Sequence, residues 1–170
     1  MAAKIIETSG AAQQLAGKHL TFVLGREHYG VPVLKVREII RLCDITPVPQ
    51  MPEYIKGVLN LRGKIIPVID LRERFGMTAK ASTKDNRNCI VVVETQVSGG
   101  KHSTGLIVDA VNEVCEIKPQ QVEEKVELGA RVSSDYITGI AKINNQVIIL
   151  LNIEKVLSAE AVGAIHETAV

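Results

Sequence analysis

Aromatic residues are scarce in this sequence of 170 residues, which contains two phenylalanines, three tyrosines and no tryptophan. Proteins that bind single-stranded nucleic acids usually stack the bases on aromatic side chains. Proteins that bind duplexes neutralise many phosphates with lysine and arginine, but the net charge of this chain is only +1. The composition therefore gives no support to a nucleic-acid partner.

Cysteines and long apolar segments are also few. The three cysteines, Cys43, Cys89 and Cys115, are an odd number without the C-x-x-C spacing of a redox or metal motif. The first ten residues lack the apolar centre of a signal peptide. No apolar run approaches the roughly 20 residues that are needed to cross a bilayer. We expect a soluble, cytosolic protein with reduced thiols and no direct insertion into a membrane.

Recognisable catalytic motifs are missing as well. The four histidines have no regular spacing, and the sequence contains neither a metal-binding cluster nor a glycine-rich phosphate loop. The cysteines lie in or beside apolar runs, where a buried and inert thiol is the commoner case. We predict a protein that is not an enzyme and has no metal or cofactor. The alternative from another class is a small thiol-dependent enzyme, since folding could bring a cysteine and a histidine together.

The informative feature that is present is an internal repeat. The segment from Tyr54 to Gly76 is similar to the segment from Tyr136 to Ser158, which lies 82 residues further on (136 − 54). An earlier block, residues 30–40, is similar to residues 105–115, with a displacement of 75 (105 − 30). Because the matched blocks occur in the same order, the pattern indicates one supersecondary unit used twice.

The repeat sets the expected architecture. Short strands with turn signals between them favour an all-β fold of two small five-stranded β-barrels, with short helices and a helical C-terminal extension. Neither unit is large enough to bury much surface alone, so we expect a shared hydrophobic interface. We place a flexible tail at residues 1–17, one domain at 18–158 and a C-terminal tail with helical potential at 159–170. The first copy covers about 18–77 and the second about 89–158; strands could cross between the barrels.

Local signals predict several elements in the first copy. Residues 57–61 and 64–69 have the pattern of a β-hairpin, and Asp70 is suited to cap a short helix that ends at Gly76. Residues 34–40 fit either a strand or a short helix. Pro67 indicates either an exposed edge strand or a bulge, because proline cannot donate a hydrogen bond within a sheet.

Differences between the copies are candidates for function. The second hairpin turns on Asn144 and Asn145, which tolerate the positive φ of a two-residue turn, whereas the first has Arg62 and Gly63. Since arginine lacks the conformational ease of asparagine, we expect Arg62 to contact a partner. Glu38, which matches Glu113 in the second copy, could pair with Arg62 or with an arginine of a partner.

These residues resemble the CheW coupling proteins of bacterial chemotaxis. The similarity extends in order from about residue 18 to residue 158, and its most specific part is the combination of Gly57, N-L-R-G and P-x-x-D-L. Further matching runs are Phe22–Gly25, Tyr29–Pro32, Val36–Ile39, Ile55–Gly63 and Ile66–Leu71.

The resemblance implies two small five-stranded barrels and a non-enzymatic adaptor that links the cytoplasmic tips of chemoreceptors to the histidine kinase CheA at membrane receptor clusters. By position, it assigns receptor contact to Val36, Glu38, Gly57 and Arg62. It assigns a contact with the kinase, or with other components of a larger array, to Val122 and Leu128. The same module occurs within CheV and CheA, and the length of this chain favours a stand-alone coupler. A pathway controlling pili or biofilm is the alternative to flagellar chemotaxis.

Overall fold

The computed structural model describes residues 15–77, 88–97, 100–123 and 134–157. The predicted tails at 1–17 and 159–170 therefore lie almost wholly outside the described residues. Within them the protein is mainly β-structure, with eleven strands: β1 (Gly17–Leu24), β2 (Glu27–Pro32), β3 (Val36–Arg41), β4 (Ile55–Leu61), β5 (Lys64–Asp70), β6 (Cys89–Val97), β7 (Gly100–Val108), β8 (Ala110–Ile117), β9 (Val122–Glu123), β10 (Ile137–Ile143) and β11 (Gln146–Leu151).

The helices of the described residues are short. The two α-helices are α1 (Leu71–Arg74) and α2 (Ile153–Val156), and single 3-10 turns occupy Val33–Lys35, Pro119–Gln121 and Ser134–Tyr136. None of these helices is long and apolar enough to span a membrane. Residues 34–40, for which strand and helix were both open, divide between a 3-10 turn and strand β3.

The strands form two sheets of the same plan. One sheet has the order β8-β1-β2-β11-β10-β9 and the other β3-β6-β7-β5-β4. The two-residue strand β9 makes the first sheet six-stranded, so the expectation of five strands in each unit is wrong for that sheet. The physical reason is that Glu123 pairs with Ile140, whereas the corresponding Val58 of β4 has only an isolated bridge to Thr46.

Strands cross between the two copies of the repeat. Hairpin β1–β2 of the first copy lies in the sheet of the second copy, where β2 runs parallel to β11. In the same way, hairpin β6–β7 of the second copy lies beside β3 and β5 of the first copy. Replacing each strand by its repeat partner converts the order β3-β6-β7-β5-β4 into β8-β1-β2-β11-β10, so the exchange is reciprocal.

One large hydrophobic core joins the two sheets. It includes Phe22 and Tyr29 from the six-stranded sheet and Val91 and Leu106 from the five-stranded sheet, all fully buried. Two smaller clusters lie within the individual sheets, one around Val68 and Ile90 and the other around Ala141, Ile148 and Leu150. The shared interface that the sequence predicts is therefore present.

An arginine and two repeat-related tyrosines mark where the copies meet. The guanidinium of Arg74 lies 4.6 Å from the ring centroid of Tyr54 and 5.0 Å from that of Tyr136. Its Nε donates a hydrogen bond of 3.0 Å to the carbonyl oxygen of Val156, the residue that replaces Arg74 in the second copy. This single arginine thus binds both copies by cation–π and hydrogen-bond contacts.

The helix caps follow the predicted pattern. The side chain of Asp70 accepts hydrogen bonds from the backbone N–H groups of Arg72 and Glu73, as an N-cap residue does. Gly76 has a φ of +75°, which suits a residue that ends a helix. Asn152 caps α2 through the N–H of Lys155, so both copies use the same device.

Pro67 lies neither on an edge strand nor in a bulge, and both alternatives drawn from the sequence are wrong. Strand β5 lies between β7 and β4. Val58, which faces Pro67, directs its own N–H and C=O away from β5 to Thr46, at 2.8 and 2.9 Å. Pairing of β5 with β7 begins only at Val68. No sheet hydrogen bond is therefore required of the Pro67 nitrogen.

Candidate protein-binding site

The structure brings Arg62 and Glu38 together across the five-stranded sheet. Arg62 lies in the β4–β5 turn, while Glu38 lies in β3 at the opposite edge of the same sheet. The guanidinium contacts both carboxylate oxygens, with Nη1 to Oε2 and Nη2 to Oε1 each at 2.9 Å. The side chain of Glu38 is only 21% exposed, whereas that of Arg62 is 77% exposed. Of the two partners that the sequence left open for Glu38, the structure shows Arg62, whose guanidinium is open to solvent.

The turn that carries Arg62 has the conformation expected from the repeat. Arg62 and Gly63 have φ values of +55° and +88°, and Asn144 and Asn145 have +51° and +65°. Two successive positive φ angles are typical of the tight turns that join hairpin strands. The carboxamide oxygen of Asn60 accepts a hydrogen bond of 2.9 Å from the Gly63 N–H and supports the turn. Arginine thus occupies a backbone conformation that favours asparagine or glycine.

Apolar side chains lie next to the ion pair along the strands. Val36 is half-buried and packs against the large core, and a bulge separates it from Glu38 in the pairing with β6. Ile39 and Ile65 are large apolar residues with 45% and 48% of their surface exposed. Ile39 follows Glu38 directly in β3, so its side chain lies on the opposite face of the sheet from the ion pair.

Gly57 is buried, so it offers little surface of its own to a partner. Its φ is +142°, and a Cβ atom at this position would lie 2.0 Å from the carbonyl oxygen of Thr46 and 2.9 Å from the Cα of Pro47. Only glycine allows the segment at Thr46 to approach β4 so closely. Gly57 therefore acts on the surrounding structure by allowing the backbone of Thr46 and Pro47 to pack directly on β4.

The two residues predicted to contact the kinase or array are placed unequally. Val122 lies in β9, is half-buried, and packs against the cluster that contains Ala141 and Ile148. Its side chain offers only part of its surface to a partner. Leu128 lies outside the described residues.

The two half-buried thiols, Cys89 and Cys115, show no sign of activation. Cys43 is exposed, whereas Cys89 and Cys115 are half-buried. Burial raises the pKa of both Cys89 and Cys115, and for Cys115 the nearby carboxylate of Glu113 raises it further. A higher pKa reduces the fraction of reactive thiolate at neutral pH. No group of three or more potential metal ligands is found in the part of the chain that the structure describes.

Sequence reasoning missed a polar network on the six-stranded sheet. The Nδ1 atom of His28 lies 3.0 Å from the amide nitrogen of Asn112, and its Nε2 atom lies 2.9 Å from that of Gln146. The three residues come from β2, β8 and β11 and share no local motif. One feature of the sequence could have directed attention to this region: Glu113 matches Glu38, which indicates an equivalent surface in the second copy.

Comparison with known proteins identifies the family. A family model described as the CheW-like domain matches residues 18–161, which is most of the chain. The chain belongs to the CheW family. The chemotaxis protein CheW of Klebsiella aerogenes is 34% identical over 159 residues, covering 94% of this chain and 92% of the relative. CheW of Helicobacter pylori is 32% identical, covering 82% and 80%.

A solved CheW structure supports the fold as well. The crystal structure of the scaffolding protein TtCheW from Thermoanaerobacter tengcongensis aligns with a TM-score of 0.74 and 37% identity, covering 86% of this chain and 95% of that chain. The resemblance inferred from the N-L-R-G and P-x-x-D-L motifs is thereby confirmed. The chain is a non-enzymatic chemotaxis scaffold of the CheW family, and it is this membership that bears out the prediction of no enzymatic activity.

Proposed function

We propose that this protein couples the cytoplasmic tips of transmembrane chemoreceptors to the histidine kinase CheA, and that it is recruited to receptor clusters at the membrane. In this proposal the surface formed by Val36, Glu38 and Arg62 contacts the receptor, and Gly57 holds the neighbouring chain in position. The single observation that carries the proposal is the bidentate pair between Glu38 and the exposed guanidinium of Arg62.

The pair is suited to exchange between intramolecular and intermolecular contacts. A guanidinium has five N–H donors in a fixed plane, so Arg62 retains donors for a partner while two of its nitrogens contact Glu38. An exposed ion pair contributes only about 0–1 kcal/mol to stability. A partner carboxylate or carbonyl can therefore replace Glu38 at little cost to the fold.

The exposed apolar residues Ile39 and Ile65 lie on the other face of the same sheet, and they would add apolar contact area where a receptor extends over that face. Charged groups at the rim fix the orientation and the rate of encounter. The Glu38–Arg62 pair would serve this orienting role.

A second contact, with the kinase or with other components of a larger array, is proposed for Val122 and Leu128. It rests on the partial exposure of Val122 in the two-residue edge strand β9. An edge strand leaves backbone hydrogen-bonding groups free on one side for a partner.

The proposal is tested by Arg62→Ala together with the matched control Arg26→Ala, which also removes an exposed arginine from a two-residue hairpin turn. We expect Arg62→Ala to weaken binding to a soluble receptor fragment and the receptor-dependent activation of CheA. Its free energy of unfolding should change by no more than about 1 kcal/mol. Arg62→Lys should restore binding only in part, because lysine lacks the planar fork. Arg26→Ala should behave as the wild type.

A charge exchange separates a binding role from a structural one. The double variant Glu38→Arg with Arg62→Glu can re-form the intramolecular pair in the opposite direction. If receptor binding returned in this variant, the pair would serve the fold and the proposed contact would be wrong. Unchanged binding by Arg62→Ala would likewise remove Arg62 from the site. A pull-down from native lysate that recovered neither a histidine kinase nor a methyl-accepting receptor would contradict the coupling function itself.

A further inference from the structure

The six-stranded sheet contains a cleft of about 480 Å³ at the position that corresponds to the Glu38–Arg62 pair. Glu113, the repeat partner of Glu38, lines this cleft, and so does Asn144, the repeat partner of Arg62. We name it the Glu113 cleft. The two copies thus present equivalent surfaces, of which one is closed by an arginine and the other is open.

The carboxylate of Glu113 is not neutralised within the described part of the chain. Five ion pairs are found there, and none of them includes Glu113. Its backbone is fixed, since the N–H and the carbonyl oxygen of Glu113 both bond to the hydroxyl of Thr21, at 3.3 and 2.8 Å. Among the described residues that line the cleft, Glu113 is the only aspartate, glutamate, lysine or arginine.

The rest of the lining suits a guanidinium group. Asn112, Asn144 and Gln146 contribute carboxamides whose oxygens can accept hydrogen bonds from the donors of an arginine. Val111 and Ile143 provide half-buried apolar walls, against which the methylene stem of an arginine can pack while its charged end reaches Glu113. His28 of β2 contacts both Asn112 of β8 and Gln146 of β11, and these contacts hold the two carboxamides in place.

The first copy of the repeat shows how such a carboxylate is satisfied. There, an arginine on a two-residue turn delivers a bidentate guanidinium to Glu38. We propose that the Glu113 cleft receives the side chain of an arginine that a partner protein carries on a protruding turn. The partner would thereby supply to Glu113, from outside, the group that Arg62 supplies to Glu38 from within. The Glu113 cleft is separate from the proposed receptor surface, and its binding of an arginine does not depend on the proposed coupling function.

The test uses NMR of the full-length ¹⁵N-labelled protein, with the side-chain amide signals of Asn112, Asn144 and Gln146 as reporters. The probe is a cyclic peptide with an Arg-Gly turn, and its control replaces arginine by citrulline, which is neutral and has the same shape. We expect saturable shifts of these signals with the arginine peptide and none with the citrulline peptide. Glu113→Gln should weaken binding about two- to fivefold, as expected for loss of an exposed ion pair.

The matched control is Glu116→Gln, which removes an exposed carboxylate from the same strand without changing the cleft. Equal effects of Glu113→Gln and Glu116→Gln would overturn the proposal, because they would show general charge attraction. Equal binding of the citrulline peptide would also overturn it. Concentration-dependent shifts of the three amide signals without any peptide, abolished by Arg62→Ala, would identify a second copy of this chain as the occupant and refute a separate partner.

Discussion

Replacing Gly57 by alanine should destabilise the protein and disturb the proposed receptor surface, although Gly57 itself is buried. A Cβ atom would lie 2.0 Å from the Thr46 carbonyl oxygen and 2.6 Å from its carbonyl carbon. Backbone atoms at this distance must move. The movement would break the two hydrogen bonds between Thr46 and Val58, of 2.9 and 2.8 Å.

The magnitude follows from two contributions. Each of the two hydrogen bonds contributes about 1 kcal/mol to stability, and a side chain held at an unfavourable positive φ costs about 1–3 kcal/mol. We therefore expect the free energy of unfolding to fall by about 3–5 kcal/mol. For a chain of this size, the melting temperature should fall by about 2–4 °C for each kcal/mol.

Two other glycines provide controls for the assay, which is thermal unfolding followed by circular dichroism. Gly63 has a φ of +88°, but a Cβ atom added there would have no neighbouring atom within 4 Å, so Gly63→Ala tests backbone strain without the collision. Gly139, the repeat partner of Gly57, would place its Cβ 2.8 Å from the flexible end of the Leu15 side chain, which can move. We expect Gly57→Ala to be the most destabilising. Gly63→Ala should follow, because it keeps the cost of a positive φ, and Gly139→Ala should destabilise least. Equal melting temperatures for Gly57→Ala and Gly63→Ala would refute the argument from close approach.

Two further variants test the core and its dependence on pH. Ile148→Asp should prevent folding, because Ile148 is 4% exposed within an apolar cluster and a carboxylate there would lack a partner; a soluble variant of unchanged thermal stability would show that β11 is not buried. Burial lowers the pKa of His19 in the folded protein below its value near 6.5 in the unfolded chain. The folded protein is therefore fully stable above the unfolded pKa, where the histidine is neutral in both states, and it loses stability as the pH falls below that value. Urea titrations between pH 7.5 and 5 should show a smaller decline for His19→Gln than for the wild type, and equal slopes would contradict this assignment.

Much of the local structure could be predicted from the sequence, because it depends on neighbouring residues. The turn at Asn144 and Asn145, the cap at Asp70 and the hairpin of β4 and β5 each follow from a few adjacent side chains. Arg62 stood out as a difference between the copies, and its pairing with Glu38 was one of the two alternatives that the sequence left open. These features required no knowledge of which strands pair at long range.

The arrangement of strands and the Glu113 cleft were not predictable in the same way. Pro67 indicated an edge or a bulge, but the hydrogen bonds of Val58 to Thr46 and the late start of pairing with β7 make an interior position acceptable. His28, Asn112 and Gln146 lie on three strands separated by many residues, and only tertiary structure brings them together. The number of strands in the sheet of the second copy depended on β9, whose two residues give no periodic signal.

The reciprocal exchange of hairpins has a consequence for how the chain is made. Tyr29 of β2 pairs with Ile149 of β11, which is synthesised 120 residues later (149 − 29). During translation, the edge of β2 that pairs with β11 therefore stays unpaired until nearly the whole chain has been synthesised. Contacts so distant in sequence slow folding and leave apolar strands exposed to aggregation in the meantime. A transcript truncated before β11 would thus yield a polypeptide that lacks the partner of its earliest strands and becomes a target for chaperones and proteases.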